Sequence, residues 1–286
     1  MKAEYHKKIV EKLKCFEDIE RIAKAENLPK DFLLVLLTQK ISRNATTRFY
    51  RVKADVEKYI RRWDDGESIY DIAVAIDFPP ILLAMLVFMK KGLSRKAFWE
   101  GVRNPLSLPD KRMRKEFGYF VLRDVVYSPI GNSVQKRRGR DGEELLRSWL
   151  DSWNIKYYIE DELRKQFPKT PDALLLDPIM VGDREVYWIE SKANFGDEKE
   201  VSKNLKKQLL PYTELFGPGM VVYWYDFIKP ENIVEDILIV NSSFFLHKGP
   251  GKNMGRTVKK PPYDPFEFSS YEVINEMIES LNDEKE

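Results

Sequence analysis

Cysteine and histidine are scarce in this sequence of 286 residues. Cys15 is its one cysteine, and His6 and His247 are its two histidines. A single thiol excludes an internal disulfide, and so few Cys and His side chains argue against a zinc cluster and against histidine-based catalysis. No apolar run approaches the ~20 residues of a membrane-spanning helix, and the N-terminus lacks the apolar core of a signal peptide. These absences predict a cytoplasmic protein, or a nuclear one in a eukaryote.

The formal net charge is also small, at +2, but the charged residues are unevenly distributed along the chain. Residues 1–140 carry 30 Lys and Arg against 18 Asp and Glu, a net charge of +12, whereas the remainder carries 18 against 28, or −10. Such asymmetry predicts that the first half meets a polyanion such as nucleic acid. A solvated, lysine-rich surface is the alternative.

Two stretches fifty residues apart repeat one pattern. Residues 22–29 and 72–79 each combine a helical run, an Asn or Asp turn and a proline that starts a second helix. This order is typical of a helix-turn-helix unit, with second helices predicted over 31–39 and 81–89. Both second helices are apolar, which favours phosphate contacts from the edges of the units, or a plain helical scaffold, over reading of bases. The candidate phosphate-binding residues are Lys53, Lys58, Arg61 and Arg62.

Residues 103–140 are predicted to form a basic connecting segment. They hold ten Lys and Arg against three Asp and Glu, and Pro105, Pro109 and Pro129 interrupt them. A strand is predicted over 119–127 and a loop at 131–133, running into a basic loop. That loop is either a flexible linker or, as we favour, a clamp on a nucleic-acid backbone. Its cations are Lys136, Arg137, Arg138 and Arg140.

From Gly142 the spacing of apolar residues predicts a helix. At about 100° per residue, Glu143 borders the apolar stripe and faces a sheet, whereas Glu144 faces water. A glutamate in the first turn is also favoured by the helix dipole, which is the alternative explanation of Glu143. The predicted stripe consists of Leu145, Leu146, Trp149, Leu150 and Trp153.

Residues 170–192 contain two apolar runs separated by a predicted turn at 177–183, the pattern of paired strands. Asp172 heads the first strand. Side chains alternate between faces along a strand, so Glu190 and Lys192 point one way and Ser191 the other. If the strands pair, Asp172 and Glu190 converge with Lys192 beside them. Two carboxylates suit a hard divalent cation, and a lysine can stabilise charge on a phosphate.

The remaining pattern predicts a mixed sheet. Further strands are expected over 155–163, 220–225 and 236–240, with a helix over 201–215 between them. Gln208 lies on the apolar stripe of that helix together with Tyr212, and a buried amide needs a hydrogen-bond partner. A glycine- and lysine-rich segment at 247–260 is a further candidate for nucleic-acid contact, and a helix over 269–281 is predicted to close the domain.

Pro171-Asp172 followed by Glu190-Ser191-Lys192 resembles the signature of PD-(D/E)XK nucleases. The local form Thr170-Pro171-Asp172 is similar to the TPD-motif proteins of archaea, relatives of the eukaryotic codanin-interacting nuclease. The resemblance implies an α+β protein of two domains. An all-α domain with two helix-turn-helix units (1–102) and the connecting segment (103–140) would precede an α/β nuclease domain with a central mixed sheet (141–286).

The resemblance also implies roles for the residues. Asp172, Glu190 and the Ser191 carbonyl would bind Mg²⁺ or Mn²⁺, and Glu143 would bind a second ion or hold the first through water. Lys192 would orient the attacking water or stabilise the charged phosphate. The helix carrying Gln208 and Tyr212 resembles the one that follows the Glu-x-Lys strand in this superfamily, where these residues would hold the water or the phosphate.

The function so predicted is hydrolysis of DNA by structure rather than by sequence, on single-stranded, flap or branched substrates. Two alternatives stay open. The first is a non-catalytic nucleic-acid-binding or adaptor protein on a nuclease scaffold, with a protein partner. The second is a branched-DNA resolvase, which would act as a homodimer.

Overall fold

The computed structural model describes residues 1–230, 234–246, 266 and 268–283. Contacts between residues divide the chain into two compact units. The sheet unit comprises Met1–Lys7 and Arg137–Phe268, and the helical unit comprises Lys8–Lys136 and Ser269–Glu286. In this division the C-terminal helix falls in the helical unit and residues 1–7 fall in the sheet unit, whereas the predicted domain boundaries stay a prediction. The basic segment at 247–260 lies outside the described residues.

Nine helices precede the first strand in the described chain. They are α1 Ala3–Lys12, α2 Asp18–Glu26, α3 Lys30–Ala54, α4 Val56–Asp64, α5 Ile69–Ala75, α6 Pro80–Lys90, α7 Arg95–Arg103, α8 Lys111–Arg123 and α9 Pro129–Ser152, with a 3₁₀ turn at Pro105–Ser107. The later helical segments are α10 Glu160–Leu163, α11 Glu198–Asn204, a π-helical turn at Leu205–Leu209, α12 Leu210–Phe216, a 3₁₀ turn at Ser242–Leu246 and α13 Ser270–Asp283. Within the described ranges, none of these helices has both the length and the apolar character that crossing a membrane requires.

The sequence repeat is also a structural repeat. The turn after α2 and the turn after α5 each contain a residue in the left-handed region, Asn27 with φ 51° and Asp77 with φ 53°. Asn and Asp tolerate this conformation better than other non-glycine residues do. In each turn the amide of the next residue donates to an alanine carbonyl, that of Ala23 in the first copy and that of Ala73 in the second. The two helix pairs α2–α3 and α5–α6 therefore share one turn geometry.

Helix α3 is much longer than the predicted second helix at 31–39, since it continues to Ala54. Its first two turns are buried throughout, from Asp31 to Thr38. Beyond them only one side remains buried, at positions such as Ala45 and Val52. The apolar run that guided the prediction ends where the helix leaves the core, but nothing in the following residues breaks a helix.

The predicted connecting segment is helical, which corrects the strand expected at 119–127 and the loops expected at 131–133 and 136–140. Asp110 caps α8 by accepting a hydrogen bond from the Met113 amide at 2.8 Å. Ser128 caps α9 by accepting from the Gly131 amide at 2.9 Å, and Pro129 is its first residue. A side chain at Gly131 would lie 2.5 Å from the Val125 backbone, so glycine here permits close packing.

Helix α13 is held in the helical unit by a buried acid of α3. Asp31 is 2% exposed and accepts hydrogen bonds from the backbone amides of Ser270 and Tyr271, at 2.7 and 3.1 Å. These amides begin α13 and have no partner within their own helix. A carboxylate from a distant part of the sequence thus caps this helix.

The sheet unit contains a five-stranded mixed sheet, which confirms that part of the prediction. Its strands lie in chain order: β1 Tyr157–Ile159, β2 Ala173–Val181, β3 Arg184–Lys192, β4 Gly219–Tyr223 and β5 Ile237–Asn241. The pairs β1–β2 and β2–β3 are antiparallel, whereas β3–β4 and β4–β5 are parallel. The predicted strand at 155–163 is shorter than expected, because Glu162 accepts from the Ile159 amide at 2.9 Å and α10 begins there.

Strand β2 passes through the predicted turn. Leu174 pairs with Trp188 and Ile179 with Val186, so four residues of β2 stand opposite one residue of β3. This bulge contains Pro178, whose missing N–H is tolerated where the ladder is interrupted. The chain reverses only after Val181, at Gly182, with φ 67°.

Candidate active site

The residues of the Pro-Asp and Glu-x-Lys motifs meet where β2 begins beside β3. Ala173 pairs with Ile189, which places Asp172 opposite Glu190. The Ser191 amide donates to Asp172 Oδ2 at 2.7 Å, and the Asp172 amide donates to Glu190 Oε2 at 3.3 Å. One register therefore fixes both carboxylates through the backbone of the opposite strand.

Lys192 lies two residues after Glu190 in β3, so its side chain is on the same face of the strand and reaches the Glu190 carboxylate. Its Nζ lies 2.5 Å from Glu190 Oε1. The side chains are 17% exposed for Lys192 and 4% for Glu190, so the ion pair is largely removed from water. A buried carboxylate is tolerated only with such partners, since an unpaired charge away from water is strongly disfavoured.

The electrostatics of the site favour uptake of positive charge. Burial raises the pKa of Asp172 well above its ordinary value, and the neighbouring charge of Glu190 raises it further. Burial also raises the pKa of Glu190, against the opposing effect of Lys192. Two carboxyl groups this close resist simultaneous ionisation unless a cation compensates them.

Glu143 of α9 is close enough to add to this field, because its charge contributes to the raised pKa of Asp172. The side chain is 38% exposed and pairs with Arg147 at 3.1 Å. Glu144 points to solvent, as predicted. The apolar stripe was only partly right: Leu146, Trp149 and Leu150 are buried, but Leu145 and Trp153 are 39% and 42% exposed.

Gly142 explains how α9 comes so near β3. A Cβ at this position would lie 2.7 Å from Trp224 Nε1 and 3.1 Å from Ser191 Oγ. Those two atoms are themselves hydrogen-bonded at 2.8 Å. The absent side chain therefore lets the helix pack on the Ser191–Trp224 contact, with Glu143 as the next residue along.

Tyr212 lies beside Glu190 and Asp172, whereas no hydrogen bond joins the Gln208 side chain to either carboxylate. Tyr212 is 2% exposed, and its ring meets Trp188 edge-on with centroids 5.3 Å apart. Burial raises its pKa, with further contributions from Glu190 and Asp172. Gln208 is half-buried, and its side-chain amide makes no hydrogen bond to any residue of the described chain.

The regular helix predicted over 201–215 is interrupted at Gln208. Leu205–Leu209 form a π-helical turn, which widens the spacing between Gln208 and the preceding residues. Pro211 accounts for this, because it lacks an N–H and its ring would clash with the carbonyl four residues earlier in a regular α-helix. Such turns occur frequently at functional sites.

Glu160, the first residue of α10, was not predicted from the sequence but lies near Glu190. Its charge contributes to the raised pKa values of Glu190 and Tyr212. It also pairs with Arg164 at 3.1 Å and lies 3.5 Å from the Thr170 hydroxyl, next to the Pro-Asp motif. A signal was present in the acidic run Glu-Asp-Glu at 160–162, but no spacing rule connects that run to Glu190.

The predicted nucleic-acid-binding residues fall into two groups. Arg138 is 5% exposed, and its Nε donates to the Ala193 carbonyl at 3.2 Å; Arg62 pairs with Glu67 through two hydrogen bonds. The structure thus gives these two guanidinium groups internal partners. The exposed members of the set are Lys53, Lys58, Arg61, Lys136, Arg137 and Arg140.

The donors present suit a magnesium-like cation with few protein ligands. Among the described residues, no group of three or more His, Cys, Asp and Glu is arranged to hold a metal ion. Mg²⁺ usually retains several waters and needs only one or two carboxylates. Asp172 and Glu190 meet that requirement, and burial raises the pKa of both carboxyl groups although the charge of Lys192 opposes the rise at each.

Comparison with known proteins shows which class of protein this chain is related to. It is homologous to proteins that are named as nucleases. It is 33% identical over 189 residues to CDAN1-interacting nuclease 1 of Homo sapiens, covering 61% of this chain and 67% of that protein. The protein of the same name from Danio rerio is 31% identical over 220 residues, covering 71% and 73%. The family described as "Protein of unknown function TPD sequence-motif" matches residues 109–243. The chain belongs to the family of CDAN1-interacting nuclease 1 and contains a TPD-motif domain. No solved structure matches it.

Proposed function

We propose that this protein is a nuclease of the PD-(D/E)XK type that hydrolyses DNA with a divalent cation. The observation that carries the proposal is the carboxylate pair of half-buried Asp172 and buried Glu190, held across two strands with Lys192 Nζ at 2.5 Å from Glu190 Oε1. The names of its relatives support the same reaction.

Each side chain has a role in this proposal. Asp172 and Glu190, with the Ser191 carbonyl, hold Mg²⁺ or Mn²⁺, and Glu143 adds negative charge beside them. The bound cation supplies Lewis-acid polarisation of the scissile phosphate. Lys192 stabilises the negative charge that develops on the phosphate, or orients the attacking water. Tyr212 fixes the orientation of Glu190, and Gln208 offers its amide to the phosphate.

Cleavage of end-labelled DNA in Mg²⁺ and in Mn²⁺ tests this assignment. Asp172→Asn and Lys192→Ala should each lower the rate by at least about 100-fold, the scale seen when one electrostatic group is lost. Asp177→Asn is the matched control, because Asp177 is an exposed acid on the same strand. Equal cutting by wild type and both site variants would refute the assignment.

A non-catalytic adaptor is the second candidate, and two observations favour keeping it. Lys192 already compensates Glu190, and the relatives are named as interacting with CDAN1. On this alternative we propose a protein partner rather than a reaction. Calorimetric titration with Mn²⁺ distinguishes the two, since an adaptor need not bind the ion, whereas a nuclease should bind it and lose that binding in Asp172→Asn.

A further inference from the structure

The second half of α3 presents an aromatic ring to solvent in the helical unit. Tyr50 is 81% exposed, on the side of the helix opposite the buried Ala45 and Val52. The Phe49 ring lies beside it, with centroids 5.8 Å apart and planes at 87°. Exposed tyrosines of this kind present an apolar face that binding would cover.

The surroundings of Tyr50 are strongly basic. Residues 43–62 contain seven Lys and Arg against two Asp and Glu, a net charge of +5. Four of these cations are exposed and have no carboxylate within salt-bridge distance among the described residues: Arg51, Lys53, Lys58 and Arg61. Most cations elsewhere in the helical unit are paired, as Arg103 is with Glu100 and Lys91 with Asp64.

The four cations and Tyr50 share a short stretch of chain. Only Asp55 separates the end of α3 from the start of α4, so Lys58 follows Tyr50 by eight residues. We call Tyr50, Arg51, Lys53, Lys58 and Arg61 the Tyr50 surface. It combines cations available for phosphates with a ring available for stacking, which is the composition of single-strand binding surfaces.

We propose that the Tyr50 surface binds single-stranded nucleic acid, with a base stacked on Tyr50 and phosphates held by the four cations. This rests on the proposed function, because it names the form of nucleic acid brought to the nuclease. A duplex is disfavoured because its bases are already stacked on one another and are not free to stack on the Tyr50 ring.

Fluorescence anisotropy with labelled oligothymidylate, in EDTA, tests the proposal. The reference protein is the full chain carrying Asp172→Asn, so that cleavage does not enter the measurement. Tyr50→Ala should weaken binding about 5- to 150-fold, the effect of losing one base stack, whereas Tyr50→Phe should bind nearly as the reference does. Leu106→Ala is the control, since Leu106 is a 79% exposed apolar residue of the same unit.

The charge contribution is measured separately. Replacing Lys53 and Arg61 by glutamine should reduce the slope of log affinity against log salt by about 0.7 for each lost phosphate contact. Arg103→Gln, which removes a paired cation, should leave the slope unchanged. A duplex of the same sequence and length should bind more weakly than the single strand.

Several results would overturn the proposal: no binding of the single strand by the reference, unchanged affinity in Tyr50→Ala, or a preference for duplex. Binding of an acidic protein alone would do the same. These outcomes are separable from the fate of the nuclease assignment. Loss of binding in Tyr50→Ala without cleavage by the wild type would refute only the nuclease, and normal cleavage with unchanged Tyr50→Ala binding would refute only this surface.

Discussion

Two glycines of α9 allow a sharp test of how the site is assembled. At Gly142 an added Cβ would lie 2.7 Å from Trp224 Nε1 and 2.9 Å from its Cδ1, whereas at Gly139 nothing lies within 4 Å. Both positions are inside the same helix. Gly139→Ala and Gly142→Ala are therefore identical chemical changes that differ mainly in the space available.

The expected difference follows from this comparison. Alanine stabilises a helix interior by about 0.5–1 kcal/mol over glycine, and this gain is common to both variants. Overpacking at Gly142 should cost about 1–3 kcal/mol, which is then the difference between the two. At about 2–4 °C per kcal/mol for a domain of this size, Gly142→Ala should melt roughly 2–12 °C below Gly139→Ala.

Thermal unfolding followed by circular dichroism measures this difference, and a cleavage assay adds the functional consequence. Because Glu143 is the next residue, a shift of α9 away from Trp224 should lower the cleavage rate of Gly142→Ala by up to about 100-fold. Gly139→Ala should cut at the wild-type rate. Equal melting temperatures for the two variants would refute the packing argument.

Three further predictions concern the site and the helix that closes the helical unit. Since burial and Glu190 raise the pKa of Asp172 in the folded state, ionisation removes stability as pH rises through that value. Asp172→Asn in EDTA should therefore gain melting temperature over wild type as pH rises above the ordinary carboxyl range, and a constant offset would contradict this. Glu160→Gln should weaken Mn²⁺ binding about two- to fivefold by calorimetry, whereas the control Glu144→Gln should not. Asp31→Ala should destabilise the protein by about 1–3 kcal/mol and speed hydrogen exchange in α13, because two buried amides lose their acceptor. Asp31→Asn keeps an acceptor and should exchange almost normally.

The part of the site that sequence could predict is the part set by local rules. Side-chain alternation places Glu190 and Lys192 on one face, and a single strand pairing brings Asp172 opposite Glu190. Glu160 could not be found in this way, because it approaches Glu190 through the packing of α10 and not through a spacing. Arg138 is an error of the opposite kind. The run of cations at 136–140 predicted an exposed binding surface, but Arg138 lies on the buried side of α9, and the run alone does not indicate which of its members is buried.

The errors in the fold have a common cause in the treatment of proline and glycine. Pro129 and Gly131 indicated a loop, yet with Ser128 they form a helix start that packs closely on Val125. Pro178 indicated a turn, but a bulge accommodates it within β2. The predicted helix over 201–215 contains Pro211, and the structure has a π-helical turn at Leu205–Leu209 just before this residue. These residues restrict the backbone locally, and tertiary packing decides which permitted conformation results.

Asp31 capping α13 has a consequence for the order of events during synthesis. The ribosome completes residues 8–136 well before it reaches Ser269, and residues 137–268 of the sheet unit are translated in between. Until then the Asp31 carboxylate lacks the amides of Ser270 and Tyr271, and Phe16 lacks the Tyr271 ring that stacks on it at 5.0 Å. A nascent chain arrested before residue 269 would therefore leave the Asp31 carboxylate without its two amide donors and one face of the Phe16 ring uncovered, as a target for chaperones and proteases.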